Sequence, residues 1–234
     1  MEIEIVETSV LPSHVAARLS MLLTQAVEAR GGAALALSGG SGLRPMFEAL
    51  LEEPTPWAQI HIFQVDERIA PDGHPDRNWT EARAELIERL PQQPAGIHPM
   101  PVAAAMEGEQ PAATALDGYR RLLEEVAGRP AVLDVVHLGL GEDGHTASLL
   151  PDDPVLDIDD RDLAFSGPYN GRRRMTVTFP ALARARHLVW MVMGSRKATV
   201  VGRLVRGDRS IPAGRVPHGE AALLVDREAA AALP

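Results

Sequence analysis

Cysteine is absent from the 234 residues of this sequence. Its absence excludes disulfide bonds, thiolate nucleophiles and metal centres with sulfur ligands, and it fits a reducing compartment. No apolar run approaches the ~20 residues needed to cross a bilayer. The first ten residues, MEIEIVETSV, have neither the basic start nor the apolar core of a signal peptide. We therefore expect a cytoplasmic protein with no membrane partner.

Lysine is nearly absent, since Lys197 is the only lysine among 23 basic residues. The 32 acidic residues bring the net charge to -9, which disfavours nucleic acid as a partner. Arginines nevertheless concentrate between residues 172 and 215. A solvated, ion-paired surface explains most of them, but a local basic zone in an acidic protein also suits a small anionic ligand. The only lysine could occupy a position that needs a compact charge and is too narrow for a guanidinium. The alternative is that Lys197 has been kept by chance.

Short apolar runs alternate with amphipathic stretches, a pattern typical of βαβ units. The sequence predicts strands at 3–6, 33–37, 60–65, 133–138, 175–179, 188–193 and 223–225, and helices at 12–30, 42–51, 79–90, 112–126 and 196–205. Strands as apolar as 133–138 indicate burial on both faces, as in a parallel sheet. We therefore predict an α/β fold, with a mainly parallel central sheet and helices on both faces, in one domain over residues 1–234.

Two stretches predict irregular structure. Residues 91–111 contain five prolines, which indicate a loop or surface excursion. Residues 151–162, PDDPVLDIDDRD, indicate an acidic irregular connection. Neither resembles a linker between domains.

The first candidate binding segment follows the predicted strand 33–37. Ser38, Gly39, Gly40 and Ser41 come directly before a predicted helix. Glycines allow a tight turn, and the exposed amides with the helix dipole can cradle a phosphate. A structural turn with a serine cap is the alternative. The segment lacks the lysine of a nucleotide P-loop and the glycine spacing of a dinucleotide site, so nucleotides are disfavoured.

The second candidate segment follows the strand 60–65. Asp66, Glu67 and Arg68 stand at its carboxyl end, where ligands bind in open α/β sheets. A simple ion pair between Asp66 and Arg68 is the alternative.

The third candidate segment, GLGEDGHTASLLP, carries the strongest signal. Glycines surround Asp143 and His145, so a buried strand opens into a loop that presents a carboxylate two residues from an imidazole. Histidine has the unperturbed pKa best suited to proton transfer near neutral pH. We interpret His145 as a catalytic residue and His137, within the strand, as a core residue.

The fourth candidate segment runs from the arginines at 172–174 to Lys197. The strand 188–193 ends before Gly194, and Lys197 falls in the first turn of the next helix. A lysine there is unfavourable against the helix dipole unless an anion is also present. The position therefore favours a phosphate ligand.

Together these segments resemble the 6-phosphogluconolactonase family. The resemblance rests on LSGGS, on VDER followed by the PDGH loop and Asn78, on GLGEDGHTASLLP, and on the stretch from RMTVTFP to GSRK. They occur in the family's order from about residue 33 to residue 205. The resemblance implies a modified Rossmann-like fold, shared with glucosamine-6-phosphate deaminases and ribose-5-phosphate isomerases. It also implies hydrolysis of 6-phosphogluconolactone, a small phosphorylated sugar lactone, to 6-phosphogluconate in the oxidative pentose phosphate pathway.

The resemblance also implies roles for individual residues. His145 would be the general base that activates water, and Asp143 and Asp66 would orient or polarise the site. Arg68 would face the substrate's oxygens or the developing oxyanion. Phosphate contacts are implied for Gly39, Gly40, Ser41, Arg174 and Lys197, and Asn78 is implied as a further substrate-binding residue. No metal or redox cofactor is expected.

Some questions stay open at this point. Arg77 stands where the family commonly carries serine, and any one of the arginines at 172–174 could reach the phosphate. The deaminases carry a catalytic glutamate five residues after the histidine of DGH, where this sequence has Leu150, so deaminase activity is less favoured, and isomerase motifs are absent. A non-catalytic sugar-phosphate sensor is a further alternative. We expect a monomer or a small homo-oligomer.

Overall fold

The computed structural model describes residues 1–40, 42–217 and 219–233. It contains ten strands, numbered in chain order: β1 Glu2–Val6, β2 Ala33–Leu37, β3 Ile60–Gln64, β4 Asp66–Arg68, β5 Gly96–His98, β6 Val135–Leu138, β7 Leu163–Tyr169, β8 Arg172–Val177, β9 His187–Val192 and β10 Ala221–Asp226. The six α-helices are α1 Leu11–Arg30, α2 Arg44–Glu52, α3 Asn78–Glu85, α4 Glu109–Ala127, α5 Phe179–Arg184 and α6 Ala198–Val205. The predicted contact residue Ser41 lies outside the described residues.

The central sheet has seven strands in the order β1-β10-β9-β6-β2-β3-β5. Every pairing in it is parallel. Parallel neighbours need crossover connections, which the helices supply. The predicted mainly parallel α/β fold is confirmed.

Both faces of the sheet are buried. Along β6, Val136 and Leu138 join a core that includes residues of α4 and α6, whereas Val135 joins a core with residues of α1 and α2. Side chains alternate between the faces of a strand, so such a strand must be apolar throughout. This is why the continuous apolar runs predicted the central strands well.

The longest helix follows its sequence signals. The prediction placed it over 12–30, and α1 spans Leu11–Arg30, with Val15, Leu19 and Leu23 fully buried. It ends at Gly31, whose φ of 80° lies in the left-handed region that glycine adopts readily.

A second sheet of three antiparallel strands, in the order β4-β8-β7, corrects the predicted topology. The strand predicted over 175–179 belongs to this sheet as β8 and ends at Val177, because α5 begins at Phe179. Val65 joins the two sheets: its N–H donates to the carbonyl of Leu37 and its carbonyl accepts from the N–H of Val177, both at 2.9 Å. The residues that follow Val65 are therefore held between the sheets.

The prediction of a loop over 91–111 is wrong in part. Gly96–His98 forms the edge strand β5, and a 3-10 helix covers Val102–Met106. A three-residue strand is too short to show alternation in the sequence. The acidic stretch 151–162 has one short 3-10 helix, Pro154–Asp157, and is otherwise irregular, as predicted.

Within the described ranges, no helix combines the length and the apolar character that crossing a membrane requires.

Candidate active site

A cleft of about 470 Å³ opens at the carboxyl ends of adjacent strands. The segments after β2, β3, β6 and β9 line it, together with residues from the β7–β8 hairpin. Strand β2 pairs with β3 on one side and with β6 on the other. The cleft therefore lies where the strand order reverses, which is the usual ligand position in open α/β sheets.

The turn after β2 supplies one wall. Ser38 and Gly39 line the cleft, and the hydroxyl of Ser38 donates to the carbonyl of His137 at 2.8 Å. A Cβ on residue 39 would come within 2.0 Å of the side chain of Asn78. Gly39 is thus required for the close approach of Asn78, while the φ of 142° at Gly40 also favours glycine. The Ser38 hydroxyl therefore links the turn after β2 to the backbone of β6.

The loop after β6 brings the predicted carboxylate and imidazole together. Asp143 Oδ1 lies 2.6 Å from His145 Nδ1 and accepts a second hydrogen bond from the backbone N–H of His145 at 3.1 Å. A Cβ on Gly141 would come within 2.2 Å of His145 Nδ1 and 2.5 Å of Asp143 Oδ1. Only glycine therefore leaves room for this pair, which explains one of the glycines that made the segment conspicuous.

The environment keeps Asp143 ionised. Burial alone would raise the pKa of Asp143, but the hydrogen bonds and charge of His145 outweigh it, and the pKa is lowered. An ionised Asp143 accepts the Nδ1 proton of His145. The opposite ring nitrogen, Nε2, is then the atom that can accept a proton.

Asp66 is buried at the floor of the cleft. Its Oδ2 accepts from the hydroxyl of Ser148 at 2.5 Å, and its Oδ1 accepts from Asn78 Nδ2 at 3.4 Å. Arg174 Nη1 donates to the same serine hydroxyl at 3.4 Å. Asp66 is thus linked directly to Asn78 and, through the Ser148 hydroxyl, to Arg174.

Two arginines lie side by side in the second sheet. Arg68 on β4 and Arg174 on β8 are directly paired in register, an arrangement in which like charges repel. Burial lowers the pKa of Arg174, with Asp66 opposing that effect and Arg68 adding to it. The buried Nε atoms of both arginines have no hydrogen-bond partner among the described residues. An anionic ligand bound here would offset the repulsion between the two arginines and accept hydrogen bonds from them.

The arginines next to Arg174 lie elsewhere. Arg172 pairs with Asp76 at 2.9 Å, and the guanidinium of Arg173 lies 5.9 Å from the ring centre of Phe165. Of these three arginines, Arg174 is the one that lines the cleft.

Lys197 lies at the end of a 3-10 helix, Ser195–Lys197, immediately before α6. Its Nζ donates to the carbonyl of Leu140 at 2.7 Å. This side chain therefore links the segment after β9 to the loop after β6. Burial lowers its pKa, while the carboxylates of Glu142 and Asp143 oppose that effect. The single lysine of the chain therefore lines the cleft with the other cations.

Glu67 and Arg77 form a buried ion pair outside the cleft, at the start of α3. Glu67 is fully buried and accepts from Arg77 Nε at 3.2 Å. It also accepts from the backbone N–H groups of Asn78 and Trp79, the first residues of α3, at 2.8 and 2.9 Å. A carboxylate at this end satisfies free amides and the helix dipole. The unusual Arg77 thus neutralises the group that holds α3, and with it Asn78, in place.

Sequence reasoning missed two residues of the site. Ser148 lies three positions after His145 and was unremarkable as part of an apolar run. Tyr169 lines the cleft from the tip of the β7–β8 hairpin. The Asn170-Gly171 pair that follows it is the typical signature of a two-residue hairpin turn, and could have indicated that Tyr169 ends a strand.

The carboxylate–imidazole pair and three cations thus lie at the switch point of a Rossmann-like sheet, where small ligands bind in α/β proteins. A model of the glucosamine-6-phosphate isomerases/6-phosphogluconolactonase family matches residues 7–225. The chain belongs to this family.

The similar proteins include lactonases and a deaminase. A 6-phosphogluconolactonase from Synechocystis sp. is 39% identical over 211 residues, which cover 88% of this chain and 87% of the relative. A solved 6-phosphogluconolactonase from Trypanosoma cruzi has a TM-score of 0.85 at 22% identity, covering 98% of this chain and 96% of its own. A monomeric glucosamine-6-phosphate deaminase has a TM-score of 0.81 at 17% identity, covering 99% and 100%. At these identities the structural likeness shows the fold alone.

Proposed function

We propose that this chain hydrolyses 6-phosphogluconolactone to 6-phosphogluconate, with His145 as the base that activates water. The observation that carries the proposal is one cleft that holds both the His145–Asp143 pair and the adjacent arginines Arg68 and Arg174. The substrate is a sugar lactone with a phosphate at one end and a reactive carbonyl at the other. The family membership and the lactonase relatives support the same substrate.

Phosphate binding is assigned to the cations and the glycine turn. We assign the phosphate to Arg174, Lys197 and the turn after β2, since a dianion would offset the burial of both cations. Arg68 then faces the sugar oxygens or the oxyanion, and Asn78 is a further ligand to the substrate. Both carboxylate oxygens of Asp66 accept hydrogen bonds from its neighbours, Oδ1 from Asn78 and Oδ2 from Ser148, so we assign it the role of orienting them.

The chemical step uses the two ring nitrogens of His145 differently. Nδ1–H is donated to Asp143, which fixes the tautomer, and Nε2 accepts a proton from the attacking water. The hydroxide oxygen bonds to the lactone carbonyl carbon. Arg68 stabilises the negative charge that develops on the former carbonyl oxygen. When the intermediate collapses, the ring C–O bond breaks and the leaving oxygen takes the proton from Nε2. The products are a carboxylic acid, which ionises, and a free hydroxyl.

Deaminase activity is the alternative within the family. Leu150, five residues after His145, is buried and provides no carboxylate. Ring opening and loss of an amine need general acid–base catalysis at several atoms, whereas lactone hydrolysis needs an activated water and a stabilised oxyanion. The side chain at this position therefore favours the lactonase.

One assay tests the proposal against its alternatives. Freshly prepared 6-phosphogluconolactone is followed with and without protein at pH 7, beside unphosphorylated gluconolactone and glucosamine 6-phosphate. We expect acceleration over spontaneous hydrolysis for the phosphorylated lactone, much weaker acceleration for the unphosphorylated one, and no ammonia from glucosamine 6-phosphate. Ammonia release would establish the deaminase instead, and binding of 6-phosphogluconate without turnover would establish a sensor.

A further inference from the structure

The β7–β8 hairpin delivers an aromatic side chain to the cleft. Tyr169 is paired with Arg172 across a two-residue turn, in which Asn170 and Gly171 have φ values of 52° and 77°. The register shifts between Ser166 and Tyr169, and such irregularities redirect the side chains beyond them. The hairpin tip is thus built to hold Tyr169 in a defined position.

Asp153, which lies outside the hairpin, anchors the irregular part of β7. The N–H of Gly167 donates to Asp153 Oδ2 at 2.7 Å. A Cβ on residue 167 would come within 2.8 Å of the same oxygen, so glycine is needed for the contact. The anchor restrains the strand just before Tyr169.

Tyr169 contacts two groups of the proposed site and interacts electrostatically with a third. Its ring meets the ring of His145 edge to face, with centroids 5.2 Å apart and planes at 64°. The guanidinium carbon of Arg174 lies 4.9 Å from the centre of the Tyr169 ring. Burial and the carboxylate of Asp143 both raise the pKa of the Tyr169 phenol. One side chain therefore joins the imidazole, its carboxylate and a buried cation.

We infer that Tyr169 is a positioning residue, which holds the His145 ring on Asp143 and fixes Arg174 beside it through these contacts. His145 and Asp143 need such support because their side chains are 22% and 34% exposed on a glycine-rich loop. An aromatic wall excludes water from the pair and strengthens its hydrogen bond. The edge-to-face contact favours one orientation of the His145 ring, and the cation–π contact favours one position of the Arg174 guanidinium.

The test measures the tautomer of His145 directly. In protein labelled with ¹⁵N-histidine, the ring signals of His145 are assigned by their loss in His145→Ala. We expect the Nδ1–H tautomer in the wild type and in Tyr169→Phe, and a mixture of tautomers in Tyr169→Ala. Tyr169→Leu, which keeps apolar bulk on the hairpin, should behave like Tyr169→Ala and replaces it if the alanine variant does not fold.

Kinetics provide the second measurement, which rests on the proposed lactonase function. Misplacing a catalytic group lowers the rate steeply, so we expect kcat to fall about tenfold or more in Tyr169→Ala, with substantial rescue in Tyr169→Phe. Arg173→Ala, which removes an exposed side chain of the same hairpin outside the cleft, is the control and should leave kcat unchanged. An unchanged tautomer and an unchanged kcat in Tyr169→Ala and Tyr169→Leu would overturn the inference. Since the spectra need no substrate, they decide it even if the wild type does not hydrolyse the lactone.

Discussion

His137 and His145 lie eight positions apart and have opposite environments. Neither ring nitrogen of the fully buried His137 has a hydrogen-bond partner among the described residues. His145 is partly exposed, lines the cleft and has Asp143 on Nδ1. These contacts identify His137 as a core residue and support the proposal that His145 is the base, because proton transfer needs both an oriented ring and access to the substrate.

Replacing His145 with alanine removes the proposed base. We expect lactone hydrolysis to slow by roughly 10²-fold or more, as for the loss of a general base. The measurement is kcat with fresh lactone after subtraction of spontaneous hydrolysis, with a thermal melt to check folding. His14→Ala, on the surface of α1, is the matched control. Near-normal turnover in a folded His145→Ala protein would remove His145 from the mechanism.

Lys197 tests how the substrate is held. Loss of a charge-assisted hydrogen bond to the phosphate should raise KM roughly tenfold in Lys197→Ala, with a smaller effect on kcat if the contact is equal in ground and transition states. Lys197→Arg should not restore KM, because the half-buried ammonium group fits against the carbonyl of Leu140 and a planar guanidinium is wider. A KM unchanged in both variants would assign Lys197 to a structural role.

At the scale of elements, the loops after the strands carry the site. The four candidate segments were found from the sequence because each follows an apolar strand, and parallel strands bring their carboxyl ends to one edge. What the sequence could not give is the second sheet. Its strand β4 has three residues, and the pairing of Arg68 with Arg174 joins positions more than a hundred residues apart, so no local pattern records it.

Individual contacts were equally beyond local reasoning. We expected Glu67 at the ligand-binding edge with Asp66 and Arg68, and left the role of Arg77 open. Instead, Glu67 and Arg77 form a buried pair that holds the start of α3, because the tertiary fold brings the carboxylate there. Ser148 and Tyr169 meet Asp66 and His145 only through the tertiary fold, so no local pattern singles them out. The sequence could predict most strands of the central sheet and the proximity of Asp143 to His145, but not the groups that hold that pair.

The loop after β6 gives a prediction at this scale. In Gly141→Ala the new Cβ would fall within 2.2 Å of His145 Nδ1, so the loop must shift and the pair with Asp143 must lengthen. We expect kcat to fall by about 10²-fold, a typical result of a misplacement near 1 Å, while KM changes less. Gly118→Ala on α4, where a Cβ meets nothing within 4 Å, is the control. Normal kcat in a folded Gly141→Ala protein would show that the contact between Asp143 and His145 is dispensable.

At the scale of the whole molecule, the cleft differs in charge from the chain as a whole. The chain carries -9, whereas the cleft brings Arg68, Arg174 and Lys197 together with three carboxylates, Asp66, Glu142 and Asp143. Screening confines the effect of distant acidic residues to about 10 Å, so the potential at the cleft depends mainly on these six groups.

The stability of the whole fold should depend on pH through His137. Full burial lowers the pKa of His137 to about 4, whereas the unfolded chain titrates near 6.5. Between these values only the unfolded state binds the proton, so the free energy of unfolding decreases as pH falls from about 6.5 towards 4. At pH 5 this amounts to about 2 kcal/mol.

His137→Leu isolates that contribution, because the other histidines are unchanged. Urea unfolding at pH 7 and pH 5 should show a loss of stability about 2 kcal/mol smaller in the variant than in the wild type. Equal losses in the two proteins would mean that His137 is protonated as easily in the folded state as in the unfolded one.

The most direct test of the proposed site is a crystal structure of His145→Ala with 6-phosphogluconate bound. The account predicts the phosphate on Arg174, Lys197 and the turn after β2, and the carboxylate carbon beside the position vacated by the imidazole. A product bound with its phosphate away from these cations, or with its carboxylate end far from Asp143, would contradict it.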